Sequence, residues 1–377
     1  MFFQGARKEM ARPGNTGTRA RVGFSPRAPG KGFSEKMKRT LLLLLLALSL
    51  TGCACSTSPG GRSPAPSPSL RAAASAAPAP TAAASPQPAA DYALPEQLTI
   101  GDNGVPLVEV YLAEEEVVET MDFESYLAGV LAGEMHNDWP LEALKAQAII
   151  ARTFALRFIE DGGSRYAGAQ LSTDIGEAQA YDMSQVNDRI RQAVEETRGL
   201  VILCEGEPIQ AWFHAHAGGV TALAQEGLGY DEAEPPYTRS VQVRESPSAP
   251  EDVRAWTATF PLARVQSALD ALGGGDAAAL AIGERGPSGR VTTLTAGETT
   301  VRAVDFRREI GSTEMKSTLL TDLSVGEEGV TISGSGYGHG VGMSQWGAYE
   351  MASDGKTAQK IIEAFYQNIE IARVYGE

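Results

Sequence analysis

Apolar and polar residues alternate along VPLVEVYL (Val105 to Leu112) with the two-residue period of a half-buried strand, and VVETM beyond it continues that strand or pairs with it. The period then lengthens. In DFESYLAGVLAGEM, Tyr126, Val130 and Leu131 recur at helical spacing behind Asp122, a residue type that caps helix N-termini, and the alanines and glycines suit close packing against another helix. Pro140 fits the first turn of a second helix that runs to about Glu160. There Leu144, Ala148, Ala151 and Ala155 form a small-residue stripe for the core, while Lys145 and Arg152, seven residues apart, share another face that by itself reads as a solvated basic edge. RIRQAVEETRGLVIL predicts a helix, a stop at Gly199 and a strand; PIQAWFHAHAGGVT predicts a strand entering a glycine turn, with His214 and His216 on one side of it. From about Ser246 to Val330 the pattern is a less informative mix of strands with one helix (Leu262 to Leu272), before a glycine-rich loop, a helix, and the amphipathic AQKIIEAFYQNI. This order has no βαβ repeat and no internal duplication, which predicts an α+β fold: one elongated module of mixed helices and strands over residues 91–377.

The chain has 377 residues, and the first ninety read differently. From Met37, a basic start (Lys38, Arg39) precedes the apolar run Leu41 to Leu50, too short to span a bilayer and the size of a signal-peptide core. It ends in Leu50-Thr51-Gly52-Cys53, which looks like a lipobox, so residues 37–52 are expected to be a lipoprotein signal and Cys53 the lipidated residue. Residues 1–36 precede a good start methionine and are expected to be an over-extended start. Residues 53–90 are rich in alanine, proline and serine, too small and proline-interrupted to build a core, and are expected to form a disordered tether. Anchor and tether together are expected to place the module just outside the membrane. Of three cysteines, only Cys204 falls in the module, so no disulfide framework exists. The net charge of −15 argues against nucleic acid as a partner, which needs a basic footprint, and a bound polymer would be held by hydrogen bonds and stacking.

Four histidines occur, His136, His214, His216 and His339, all in the most unusual stretches. His-x-His on a strand can supply two metal ligands, but no HExxH or cysteine pair accompanies it, and the reading is hydrogen bonding or ligand contact with no metal and no cofactor. A nucleophile signature is missing: there is no GxSxG, and Cys204 has no clear partner. Acid–base chemistry is left. Glu134, flanked by Met135 and Trp139 where one helix gives way to the next, is a carboxyl whose desolvation would raise its pKa and keep a proton available. An acid hydrogen-bonded at a helix end reads equally well, and residue types alone leave the two level. GYGHGVGMSQWG lacks the pattern of a phosphate loop. Its five glycines around His339, with Tyr337 and Trp346, read as backbone brought close to a sugar-like ligand, the alternative being a structural turn with packed aromatics.

In order along the chain, YLAGVLAGEM…WPLEALKAQAIIARTFAL, AWFHAHAGGVT, SGRV and GYGHGVGMSQWGAYEMA resemble the motifs of the stage II sporulation protein D family, which includes amidase enhancers, from about Leu98 to Ile371. The resemblance implies a module with a substrate groove and a peptidoglycan lytic transglycosylase, cutting the MurNAc-β-1,4-GlcNAc bond of glycan strands stripped of stem peptides by a partner amidase during engulfment. It implies Glu134 as the catalytic acid, and Lys145, Arg152, His214, Gly218, Gly219, Thr221, His339, Ser344 and Gln345 as substrate-binding or groove-forming; Tyr337 joins the substrate-binding set from the reading of aromatic rings beside the glycine-rich loop. A cation such as Lys145 close to Glu134 would lower its pKa, so their separation matters. Three departures stand out. Some relatives bind zinc through cysteines near the His214 position, where this chain has Phe213, Ala215 and His216, so no metal is carried over. His136 and Asn137 replace a proline-type residue after GEM, and a lipobox stands where sporulation members often have a transmembrane helix. Two other readings compete: a non-catalytic wall-binding activator of an amidase, and, last, a histidine-ligated zinc hydrolase.

Overall fold

The computed structural model describes residues 92–376; the expected start extension, signal segment, Cys53 lipidation site and tether lie outside the described residues. The alternating segment forms β2 (Pro106–Leu112), with Pro106, Val108 and Val110 buried. It pairs antiparallel with β3 (Val117–Asp122), and its other edge carries β1 (Thr99–Ile100) and, in parallel, β4 (Leu171–Ser172). Asp122 closes β3 and opens α1 (Phe123–Glu134): its carboxylate accepts the Ser125 N–H, satisfying an amide that the first helical turn leaves without a partner. Pro140 sits just outside α2 (Leu141–Glu160), its carbonyl taking the Ala143 and Leu144 amides, so the proline precedes the first turn instead of belonging to it.

The small-residue stripe of α2 is fully buried at Leu144, Ala148, Ala151 and Ala155, which lets α1, α3 (Asp188–Glu196) and β5 (Leu200–Cys204) close around it. β5 lies between β6 (Glu207–Pro208) and β15 (Glu370–Arg373); the β15 pairing, Leu203 opposite Glu370 and Leu200 opposite Arg373, has no counterpart in the sequence reading because EIAR carries no strand period. α8 (Gln345–Ser353) and α9 (Ala358–Phe365) complete this side, burying Ile361, Ile362 and Phe365 against α2. At about 1.5–3 kcal/mol for each fully buried large aliphatic or aromatic side chain, this core is a major source of the module's stability.

The span that reads as a bland mix has a core of its own. β8 (Ala255–Phe260), β13 (Gly329–Ser335) and β12 (Leu320–Gly326) form an antiparallel sheet. A second meander, β9 (Leu280–Ile282), β10 (Thr293–Ala296) and β11 (Thr299–Arg302), joins it with α6 (Leu262–Ala271) and α7 (Ala303–Ile310), burying Phe260, Leu294, Phe306 and Ile332. Short α4 (Ala224–Leu228) and α5 (Glu251–Arg254) bracket the passage between the two cores. The arrangement is α+β, as the element order predicts. Among the described residues no helix is long and apolar enough to cross a membrane.

The expected strand carrying both His214 and His216 is not formed. Only β7 (Phe213–His214) is extended, in parallel with β14 (Met343–Ser344), and His216 instead joins Tyr337 through an isolated bridge. The partner of this stretch is the irregular glycine-rich loop, which cannot supply a continuous ladder.

Candidate functional site

Glu134 ends α1, because Met135 turns the chain into extended backbone with φ −131° and ψ 153°. The residue is 7 % exposed, and its Oε1 accepts the Ala180 backbone N–H at 2.7 Å. Gly133 makes that contact possible: a Cβ there would stand 2.7 Å from both the Ala180 carbonyl carbon and the Tyr181 nitrogen. One turn earlier, Gly129 leaves room for the Tyr181 ring, and its carbonyl accepts the Asp182 N–H at 2.9 Å. The glycines of α1 therefore receive the 180–182 segment and not a neighbouring helix. Burial pushes the Glu134 carboxyl above the ordinary range, and the Ala180 N–H, which favours the charged form, offsets part of that rise.

The second half of the site comes from the far end of the chain. Ser344 caps α8, its Oγ accepting the Gly347 N–H, and Gln345 extends Nε2 to the Glu134 backbone carbonyl at 3.2 Å. Trp346 packs on Trp139 with ring centroids 4.5 Å apart, and Tyr349 meets Trp139 edge-on at 5.1 Å. Ser344 also bonds Glu245, a buried carboxyl that the sequence reading passes over: its Oε1 accepts the Ala217 N–H at 2.6 Å, and burial pushes it up to about 7.

The histidines near β7 are neutral. His214 Nδ1 faces the Val341 carbonyl at 3.1 Å and so carries its proton there, whereas His216 and His339 use Nδ1 to accept the Gly218 and Val341 amides. Burial, then His339 and Arg290, hold His214 well below its usual value; burial and Arg254 lower His216 to about 4; burial and Arg307 lower His339 to about 3. Among the described residues no three or more His, Cys, Asp or Glu are grouped to hold a metal ion.

Several expected substrate contacts turn out to hold the fold together. Arg152 is fully buried rather than on a basic edge: it grips Glu124 through Nε at 3.0 Å and Nη2 at 2.6 Å, and the Leu200 carbonyl through Nη1 at 3.0 Å. No face of that guanidinium is left for a sugar. Thr221 is likewise buried, bonding Arg239 and Val241 across a turn. Lys145 pairs with Glu142 at 2.8 Å and Glu196 at 3.0 Å, so its charge is taken up on the α3 side, and it is not among the groups that shift Glu134.

The glycine-rich loop also needs correcting. A Cβ at Gly342 would fall 1.9 Å from the Trp212 carbonyl oxygen, and one at Gly340 would fall 2.3 Å from the Arg290 guanidinium. Those glycines admit the protein's own atoms, not a ligand, so the structural-turn alternative accounts for them. Tyr337 is half-buried, with the Lys316 ammonium 5.2 Å from its ring centre, while Gly218 and Gly219 sit partly exposed at the turn beside His216. Arg290, in the SGRV motif, fastens that turn through the Ala217 carbonyl at 2.8 Å and the Val220 carbonyl at 2.9 Å. Glu134 and Gln345 are thus brought together, His214, His339 and Ser344 line the adjoining turn, and Arg152 and Thr221 lie in the framework.

Comparison with known proteins divides the module in a related way. A family model described as stage II sporulation protein matches residues 111–203, which hold Glu134, Lys145 and Ala180, and a model described as a domain of unknown function matches residues 243–342, which hold Glu245, Arg290 and His339. Stage II sporulation protein D of Bacillus amyloliquefaciens is 32 % identical over 280 residues, 70 % of this chain and 78 % of that protein. An uncharacterized protein of Brachyspira hyodysenteriae is 31 % identical over 261 residues, 68 % of each chain. The amidase enhancer of Bacillus subtilis is 27 % identical over 294 residues, 64 % of this chain but 39 % of that protein.

Proposed function

The chain belongs to the stage II sporulation protein D family, and on that premise we propose that it acts on the cell wall as a peptidoglycan lytic transglycosylase with Glu134 as its acid–base group. The observation that carries the reading is the buried Glu134 carboxyl, held by the Ala180 amide and pushed by burial toward the protonated form. A hydrolase of glycosidic bonds works with two carboxyl groups, whereas a lytic transglycosylase needs one, because the sugar's own hydroxyl replaces water. Protonated Glu134 donates to the oxygen linking MurNAc to GlcNAc as the C1–O bond breaks. The carboxylate so formed takes the proton of the MurNAc C6 hydroxyl, whose oxygen bonds C1 and closes the 1,6-anhydro ring. The proton balance is restored without a second acid. Such assistance is worth about 10²–10⁴-fold in rate.

Among the described residues, Gln179, beside Ala180, is buried with neither side-chain amide atom bonded, and His214 and His216 each keep a buried Nε2 without a partner. In this reading the substrate is glycan stripped of stem peptides, the partner is an amidase that strips it, and Cys53 tethers the module to the outer membrane face.

The test is digestion of denuded glycan by wild type and by Glu134→Gln side by side, with mass spectrometry of the ends. Wild type should yield 1,6-anhydroMurNAc termini and the variant should lose at least about 10²-fold; equal yields from both would sink the proposal. The likeness to an amidase enhancer favours a second reading, a non-catalytic activator, which predicts no anhydro ends from wild type but faster release of stem peptides when an amidase is added.

A further inference from the structure

Glu245 lies between the turn at Ala217 and the cap of α8. Its side chain is 8 % exposed, and both oxygens are used: Oε1 takes the Ala217 N–H at 2.6 Å, and Ser344 Oγ lies 3.0 and 2.9 Å from Oε1 and Oε2. Arg290 holds the carbonyl of the same Ala217, so that residue is fastened through both its N–H and its C=O. Ser344 is the cap of α8, and the next residue, Gln345, donates to the Glu134 carbonyl. Two consecutive residues therefore connect the Glu245 carboxyl to the backbone of Glu134. Other buried acids are committed elsewhere, Glu124 to Arg152 and Tyr375, and Glu226 to Ser288.

We infer that Glu245 is a positioning residue for Glu134: by fixing Ser344 at the start of α8 it sets where Gln345 holds the end of α1, and with it the direction of the Glu134 carboxyl. The inference rests on the acid–base reading of Glu134 given above. Burial pushes Glu245 up to about 7 against the opposing pull of Ala217, Ser344 and Arg290, so near neutral pH both of its forms are populated. His216, 3.9 Å away, stays neutral, which leaves Arg290 as the charged neighbour. The clamp survives protonation. A carboxylic acid accepts the Ala217 amide on one oxygen and donates to Ser344 from the other, freeing the serine proton for the Ala215 carbonyl at 3.4 Å. A glutamine side chain presents the same acceptor and donor.

The test compares Glu245→Ala, Glu245→Gln, Ser344→Ala and the double alanine variant, in two readouts. In glycan digestion, Glu245→Ala should lower kcat about 10- to 100-fold with KM little changed, since misplacing the acid group weakens the transition state and not substrate binding. Glu245→Gln should restore most of that loss. Ser344→Ala should reproduce it, and the double variant should be no worse than either single one, because both cut the same connection. Independently of activity, hydrogen exchange at the Ala180 amide should quicken in Glu245→Ala and Ser344→Ala but not in Glu245→Gln. Wild-type kcat and Ala180 protection in Glu245→Ala, or additive losses in the double variant, would overturn the inference. Should Glu245→Ala fail to fold, the Glu245→Gln and Ser344→Ala arms decide. Should wild type make no anhydro ends, the transglycosylase reading falls while the exchange data still judge the positioning role.

Discussion

Replacing Gly133 by alanine sets two known effects against each other. In a helix interior the substitution gains about 1 kcal/mol of helix propensity, and an exposed glycine would return that as added stability. Here the new methyl carbon would lie 2.7 Å from the Ala180 carbonyl carbon and the Tyr181 nitrogen, and 2.9 Å from the Ala180 oxygen. These are backbone atoms of a segment already bonded to α1 through Asp182, so no side chain can swing aside. To restore ordinary contact at 3.4 Å the segment must retreat by 3.4 − 2.7, about 0.7 Å. That retreat stretches the Ala180 bond to Glu134 from 2.7 Å to beyond the range of a good hydrogen bond. Overpacking costs about 1–3 kcal/mol and the lost bond about 1 more, so the loss wins by about 1–3 kcal/mol. Thermal unfolding followed by circular dichroism should therefore show Tm lowered by at least about 2–4 °C. Glycan cleavage should fall about 10-fold or more, since the Glu134 carboxyl loses the group that aims it. A Gly133→Ala protein that melts at or above wild type and cleaves as fast would refute the claim that this glycine exists to admit the 180–181 backbone.

Two further outcomes follow from buried charge. Arg152→Met strands Glu124 without its counter-charge and should cost about 3–5 kcal/mol in urea unfolding while leaving the KM for glycan unchanged; a changed KM with intact stability would return Arg152 to the binding surface. The pH dependence of stability has two opposed sources. His216 and His339 have folded values of about 4 and 3, below the unfolded 6.5, so their contribution is complete above pH 6.5 and is lost as pH falls toward 4 and 3. Glu245 is raised to about 7 from 4.5, so its contribution is complete below pH 4.5 and is lost as pH rises through 7. The urea midpoint should peak at mildly acidic pH, and Glu245→Gln should flatten the decline on the alkaline side; a wild-type midpoint that rises steadily to pH 8 contradicts the Glu245 assignment, and one that does not fall below pH 4 contradicts the histidine assignments.

What the chain order by itself determined is local. The period change at Asp122, the small-residue stripe of α2, the stop at Gly199 and the terminal amphipathic helix are all decided by neighbours within a few residues, and each is legible without a partner. The position of Glu134 at the end of α1 belongs to the same class, and so does its suspicion as an acid. Whether that acid is desolvated, and what aims it, was settled only when residues 46 and 211 positions away arrived as Ala180 and Gln345. Arg152 and Lys145 look alike on a helical face, yet one meets Glu124 in the core and the other meets Glu142 and Glu196 at its margin. The glycines of the last loop signal close approach, but not to what; the answer, Trp212 and Arg290, lies in distant segments. Glu245 carries no local pattern at all. Its role comes from burial and from hydrogen bonds across 28 and 99 residues, interactions between groups far apart in sequence that exist only once the chain has folded.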